Sequence, residues 1–425
     1  PICLETLFYM LSGMVDTLML SAVGDYAVGA VGTANSYIGI FIIMFSIISS
    51  GMVSVMTQNI GAGRPGVAYQ ARQLGLLFNA VAGVLMAVFL FSGAGAILRM
   101  VGIADALYEP ALIYLKIVGG GCILNAVIPI FSSYMRAYGY TKEPLYATIV
   151  GNIANFVMNA VFLFVLHKGV AGVATATVIS KILNLCIVLY FSHKLISAKN
   201  STERIANKTV LGQIVKVGLP SACETALYNV AMMLVIRFLN QMDAEGLNVT
   251  ARSYTATISN FSYCVGAALA QANAIMTGWH IGAGELEECD RGTKRAAFVG
   301  VCVAVCMETA IVLGSGFIMP LFTDNPEMTA LVRKLLAIDI VLEIGRVTNL
   351  VFGQALKTSG DAVFPAVIAA VFMFVFAVGG TWLFGISMGL MAVGAYIGLA
   401  SDECVRAVGM VWRWKTGKWR TKKLV

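Results

Sequence analysis

Apolar residues run along this chain in twelve blocks separated by short polar stretches, at residues 1–22, 32–56, 74–99, 109–137, 145–166, 170–192, 211–240, 250–276, 293–320, 328–357, 363–385 and 389–412. A helix of about 20 residues crosses the hydrocarbon of a bilayer. In lipid only helices and closed barrels satisfy their own backbone groups. A barrel strand would alternate apolar and polar positions. Runs such as 74–98 are continuously apolar over helix length instead. The pattern therefore predicts an all-α integral membrane protein of about twelve transmembrane helices. Composition agrees, with 59% hydrophobic and 12% charged residues, against roughly 25% charged in a soluble domain.

The pattern also repeats. Ile60-Gly61-Ala62-Gly63 recurs as Ile281-Gly282-Ala283-Gly284, and Gly139 and Pro144 recur as Gly360 and Pro365. Pro1-x-x-x-Glu5-Thr6 recurs as Pro220-x-x-x-Glu224-Thr225. Residues 1–192 form an N-terminal lobe of six helices and 211–412 a C-terminal lobe of six. A polar cytoplasmic linker, 193–210, joins them, and a basic tail, 413–425, follows. Six helices per half start both halves on the same side. The lobes are thus parallel repeats about a pseudo-two-fold along the membrane normal, an architecture of secondary transporters with the substrate site near the midplane between halves.

Charge placement sets the orientation. The net charge is +7, and Lys and Arg gather after even-numbered helices: Arg64, Arg72, Arg136, Lys142, Lys194, Lys199, Arg204, Lys208, Arg291, Lys294, Arg295 and Lys357, with six more from Arg413 to Lys423. The other side holds Arg99, Lys168, Arg333 and Lys334. The positive-inside rule puts both termini in the cytoplasm of a multi-pass protein of the cell membrane. Bases grouped at helix ends are topology signals, which argues against nucleic acid as a partner. The basic tail reads as a topology anchor, with anionic lipid as its other reading. Nine Cys are scattered without a C-x-x-C, and His167, His193 and His280 stand apart near helix ends. Neither a disulfide framework, a zinc site nor a catalytic His pairing follows. No enzyme and no cofactor is expected beyond a coupling ion, H⁺ or Na⁺. The chain begins at Pro1, so a preceding segment is expected.

Several segments resemble one family in order along the whole chain. They are Met14-Val15-Asp16-Thr17-Leu18-Met19-Leu20, then Gln58-Asn59-Ile60-Gly61-Ala62-Gly63-Arg64, then Arg136-Ala-Tyr-Gly139 with Pro144 downstream. Asn155-Phe-Val-Met-Asn159 and Gly169 to Thr177 follow, then Gly218-Leu-Pro220 and Lys357-Thr-Ser-Gly360-Asp361-Ala-Val-Phe-Pro365. The chain resembles the multidrug and toxic compound extrusion (MATE) family. The resemblance implies a V-shaped pair of six-helix lobes, working as a monomer, that exports organic cations against an inward flow of protons or sodium.

Ionisable residues inside the membrane are costly and mark candidate sites. Asp16 lies well inside the first helix, where desolvation works against the charged form. It is a candidate to bind a proton or Na⁺, and the resemblance implies that it is the coupling carboxylate of the N-terminal lobe. Asn155 and Asn159 share a helix face, and Thr177 offers a hydroxyl. Together with Asp16 they could hold Na⁺ or a carboxylic acid, or serve only as polar glue between helices. Family members often carry Asp where this chain has Asn159. That removes a charge and tilts the reading toward protons. Glu5 and Glu224 occupy equivalent places near helix starts and could draw a cationic substrate, or simply complement the helix dipole. Asp339, Glu343 and Arg346 line one face of the tenth helix, as a relay or as a static salt bridge. Lys116, Arg237, Arg252 and Glu308 are further intramembrane charges without an assigned role, and Asp402, Glu403 and Arg406 are expected to pair with one another. The 21 Met and 22 Phe suit a promiscuous apolar surface.

The expected activity is antiport of amphipathic organic cations, small-molecule cargo moved across the bilayer by alternating access. A lipid-linked precursor flippase and a dedicated metabolite exporter are the other readings. The cavity carboxylates are expected to outnumber the bases, which favours cations over a pyrophosphate.

Overall fold

The computed structural model describes residues 1–101, 103, 105–196, 203–243 and 246–425, so Lys199 of the linker lies outside the described residues. The described residues are helical and contain no strand. The helices are α1 (Ile2–Ser21), α2 (Asp25–Gly61), α3 (Pro65–Val101), α4 (Asp105–Gly120), α5 (Cys122–Ala137), α6 (Lys142–Ala160) and α7 (Gly169–Leu195). They continue with α8 (Asn207–Met242), α9 (Leu247–Ala283), α10 (Leu286–Ile318), α11 (Pro326–Thr358), α12 (Val363–Phe372) and α13 (Met391–Lys415). π-helical turns extend α6 over Val161–Val165 and α12 over Met373–Val378 and Thr381–Ser387.

Every predicted block falls on helix, but the block 109–137 is not one rod. It bends by 42° between α4 and α5. The break falls in the run Gly119-Gly120-Gly121. Each glycine costs about 1 kcal/mol of helix propensity relative to Ala, so three in a row are where a long helix gives way.

Among the described residues eight helices are long and apolar enough to cross a membrane, and the bent pair makes a ninth. The other three, α9, α11 and α13, are 37, 33 and 25 residues long. Length suffices, and polar side chains are what set them apart. Those side chains are turned inward: Glu343 is 0%, Asp402 2% and Asp339 3% exposed. Leu313 and Phe317 on α10 are by contrast 79% and 88% exposed, a degree of apolar exposure suited to lipid rather than water.

The chain divides into two compact units, Pro1–Gly218 and Leu219–Val425. The first packs small residues at its helix crossings, among them Ala27, Ala30, Ala34, Ala94 and Ala111 around Leu90, Leu98 and Leu115. Lipid gives helices no hydrophobic drive to associate, so close packing of small residues carries the contact. In the second unit Gly345 of α11 faces the backbone of α13. A Cβ there would stand 2.7 Å from the Cys404 nitrogen and 2.8 Å from the Glu403 carbonyl carbon. Only glycine permits that approach, and it brings Glu343 and Arg346 against Glu403.

The internal repeat is visible in backbone angles. Gly63 and Gly284 have φ of +73° and +80°, and Gly139 and Gly360 have +86° and +97°. Both motif pairs end a helix in the left-handed conformation that glycine adopts without strain.

The basic tail folds back on its own unit. The Trp414 and Trp419 rings stack 4.2 Å apart, and Trp414 Nε1 donates to Asp290 at 2.7 Å. Arg413 donates to both oxygens of Asp361, at 2.7 and 3.1 Å, and Arg420 pairs with Glu287 at 2.6 Å. Arg413 and Arg420 thus have acids as partners within the unit.

Candidate functional site

In the first unit, α1, α6 and α7 bring together the polar residues that the sequence singles out. Asn159 Nδ2 donates to Asp16 Oδ1 at 2.7 Å and to Asn155 Oδ1 at 3.1 Å. Asn155 Nδ2 in turn reaches Ser180 Oγ at 3.5 Å. Asn155 and Asn159 are buried, at 6% and 0% exposure, because their i, i+4 spacing turns both toward the neighbouring helices. Thr177 donates its hydroxyl to the Val173 carbonyl of its own helix, and Tyr114 of α4 stands within hydrogen-bonding reach of Thr177 and Asn35. One acceptor in this cluster is idle. Asn159 Oδ1 is buried and has no donor. Beside a carboxylate, an idle acceptor suits either an acid proton or a small hard cation.

Glu5 is not in this cluster. Arg136 of α5 donates to it at 2.5 Å. Glu224 is likewise paired, with Lys357 of α11 at 2.7 Å. Neither is a free carboxylate awaiting a cation, as the sequence reading expects. The pairing joins residues far apart in the chain, and it occurs at equivalent positions in the two halves.

In the second unit α11 and α13 hold a charge network. Arg346 contacts Glu343 and lies 3.7 Å from Glu403. Arg406 pairs with Asp402 at 2.7 Å and Glu403 at 2.8 Å, the mutual pairing that the sequence predicts. Asn349 Nδ2 donates to Glu403 at 3.1 Å. Glu308 of α10 is 0% exposed and lies within electrostatic reach of Asp339 and Glu343. Two cavities, of about 250 and 280 Å³, share Tyr228, Tyr263, Arg346 and Glu403 as walls. Their acids are Glu224, Asp339, Asp402 and Glu403, and their bases Arg252, Arg346, Lys357 and Arg406. The expected excess of carboxylates is absent from these walls, where the two signs balance. Glu343 is fully buried behind them.

Among the described residues no group of three or more His, Cys, Asp or Glu is placed to hold a metal ion. The Asp16 cluster offers one carboxylate together with amides and hydroxyls.

Comparison with known proteins decides the family. The MatE family profile matches residues 1–161 and again 220–383. The chain belongs to the MatE family. Both MatE matches begin on the proline of the repeated Pro-x-x-x-Glu-Thr motif, at Pro1 and Pro220, so the two halves are two copies of one family unit. The chain is 32% identical over 428 residues to the uncharacterized transporter YisQ of Bacillus subtilis, covering 99% of this chain and 94% of YisQ. It is 20% identical to the probable multidrug resistance protein NorM of Thermotoga maritima, covering 99% of this chain and 91% of NorM. A solved MATE structure in the straight conformation matches with a TM-score of 0.89 at 20% identity, over 99% of this chain and 95% of that one. The fold is therefore that of MATE transporters, and the protein is a multi-pass membrane protein of that family.

Of the predicted site residues, Asp16, Asn155 and Asn159 form one hydrogen-bonded cluster of this MATE chain, with Thr177 close by through Ser180 and Tyr114. Glu224, Asp339 and Arg346 line the cavities of the second unit, and Glu5 is spent on Arg136. The sequence alone does not single out Lys181, Tyr228 or Tyr263. Lys181 had a signal of its own, since it is a lone ammonium in the middle of an apolar block, one turn beyond Thr177.

Proposed function

We propose that this chain is a secondary active exporter driven by a cation that binds at Asp16. Binding neutralises the carboxylate and engages the idle oxygen of Asn159, which alters how α1 packs on α6 and α7. Release of the cation on the other face resets the site, and cargo moves the opposite way. The observation that carries this reading is the hydrogen bond from the buried Asn159 to the half-buried Asp16, with the idle Asn159 oxygen beside it. The cargo is an amphipathic organic cation, in line with the multidrug name of the Thermotoga relative. Both termini lie in the cytoplasm. The test is efflux of a fluorescent organic cation from loaded proteoliposomes, under a proton or a sodium gradient imposed separately. Efflux should follow an imposed gradient in the wild type and stop following it in Asp16→Asn. Efflux in Asp16→Asn that still follows the gradient overturns the reading.

The balanced charge of the cavity walls supports a second reading, a dedicated exporter of a metabolite that carries both charges. Competition of a zwitterionic amphiphile against the fluorescent cation separates the two. Strong competition favours the metabolite, and none favours the cation.

A further inference from the structure

The two cavities of the second unit differ in how their charges are engaged. In the first, of about 250 Å³, every charged side chain of the wall is in an ion pair: Glu224 with Lys357 at 2.7 Å, Arg406 with Glu403 at 2.8 Å, and Arg346 with Glu343 and Glu403. In the second, of about 280 Å³, Arg346 and Glu403 are paired in the same way, and Asp402 pairs with Arg406 at 2.7 Å. Two charges are left over there, Arg252 of α9 and Asp339 of α11. Among the described residues neither has an opposite charge within 4.0 Å. The hydrogen bond that Arg252 makes is to the Met232 sulfur, at 3.8 Å, and sulfur is a weak acceptor. Asp339 is 3% exposed. A charge taken out of water without a counter-charge is unfavourable, and here one base and one acid share that condition in a single chamber.

A ligand that brings both charges answers both. A carboxylate that accepts from the Arg252 guanidinium forms a charge-assisted, two-pronged hydrogen bond, and an ammonium that donates to Asp339 forms another. The rest of the wall includes three aromatic rings, Tyr228, Tyr263 and Tyr396. Such rings take a flat apolar body edge-on or stacked. At about 280 Å³ the chamber stands at the small end of ligand pockets, roughly 300–1,000 Å³, a size for one ring system and a short head. We propose that the second cavity binds a small aromatic zwitterion of the amino-acid kind, its carboxylate on Arg252, its ammonium on Asp339 and its ring among the three tyrosines. That the bound molecule is cargo rests on the metabolite reading above, whereas its binding does not.

The test is equilibrium binding of radiolabelled L-tryptophan to the purified full chain, with two competitors on the same ring: tryptamine, which lacks the carboxylate, and indole-3-propionate, which lacks the ammonium. The expected result is saturable tryptophan binding, with each competitor weaker by roughly tenfold or more, as the loss of one charged hydrogen bond dictates. Arg252→Gln should lower tryptophan affinity to that of tryptamine without weakening tryptamine. Asp339→Asn should lower it to that of indole-3-propionate without weakening indole-3-propionate. A merely structural role weakens all three ligands together, and that outcome overturns the proposal. So does the absence of saturable tryptophan binding by the wild type, and so do competitors as strong as tryptophan. These last two results are read on the wild type and decide the matter even where a variant fails to fold. The metabolite reading is judged apart, by gradient-driven movement of labelled tryptophan across proteoliposomes. Binding with the expected pattern but without movement refutes that reading and leaves the site standing.

Discussion

Arg136 and Glu5 meet at 2.5 Å, tying α5 to the start of α1, and Lys357 and Glu224 repeat the tie at 2.7 Å between α11 and α8. The two pairs occupy matching places in the repeat, so each unit carries its own copy. The four side chains are 13–21% exposed. Removing one partner of a fully buried pair costs about 3–5 kcal/mol, and partial wetting lowers that here to about 2 kcal/mol. Glu224→Gln and Lys357→Met should each lower thermal stability in detergent, and the two losses should not add in the double variant. Additive losses in a double-mutant cycle would mean that the two residues do not interact.

Asn159 is the donor that holds Asp16 in place. A hydrogen bond to a charged group contributes about 1.5–3 kcal/mol. Asn159→Ala should therefore slow gradient-driven transport by roughly tenfold or more while cargo affinity changes little. Transport rate and fluorescence-detected cargo binding, measured on one preparation, check this split.

Arg346 is shared by Glu343 and Glu403. Arg346→Met strands Glu343, which is 0% exposed, and should cost about 3–5 kcal/mol. Replacing Glu343 by Met in the same chain should recover much of that loss. Thermal unfolding of the two single variants and the double variant measures the recovery.

Gly345 sets the distance between α11 and α13. Gly345→Ala forces a methyl group against the backbone of Glu403 and Cys404, and overpacking of this kind costs about 1–3 kcal/mol. Gly353→Ala is the control on the same helix, since its nearest neighbour would be 3.9 Å away. The first variant should lose stability and the second should not.

Much of this fold was legible because long apolar runs are a local signal. The repeat was legible because Gly63, Gly139, Gly284 and Gly360 hold turns that other residues resist. The bend at Gly121 was less visible, because apolar residues flank the glycine run on both sides. Asp16, Asn155 and Asn159 could be grouped from helix spacing and resemblance alone. The partners of Glu5 and Glu224 could not, since those contacts join distant parts of the chain. Lys357 falls at a helix end, where bases read as topology signals, so the balanced charge of the cavity walls emerged only from packing. Lys181 was overshadowed by the apolar block around it.

The central claim is that Asp16 couples cargo movement to a cation gradient. The most direct measurement compares two activities of Asp16→Asn in one set of proteoliposomes: exchange of labelled for unlabelled organic cation, and uphill movement of that cation driven by an imposed proton gradient. The account predicts that exchange survives while uphill movement is lost. Uphill movement equal to wild type would contradict it.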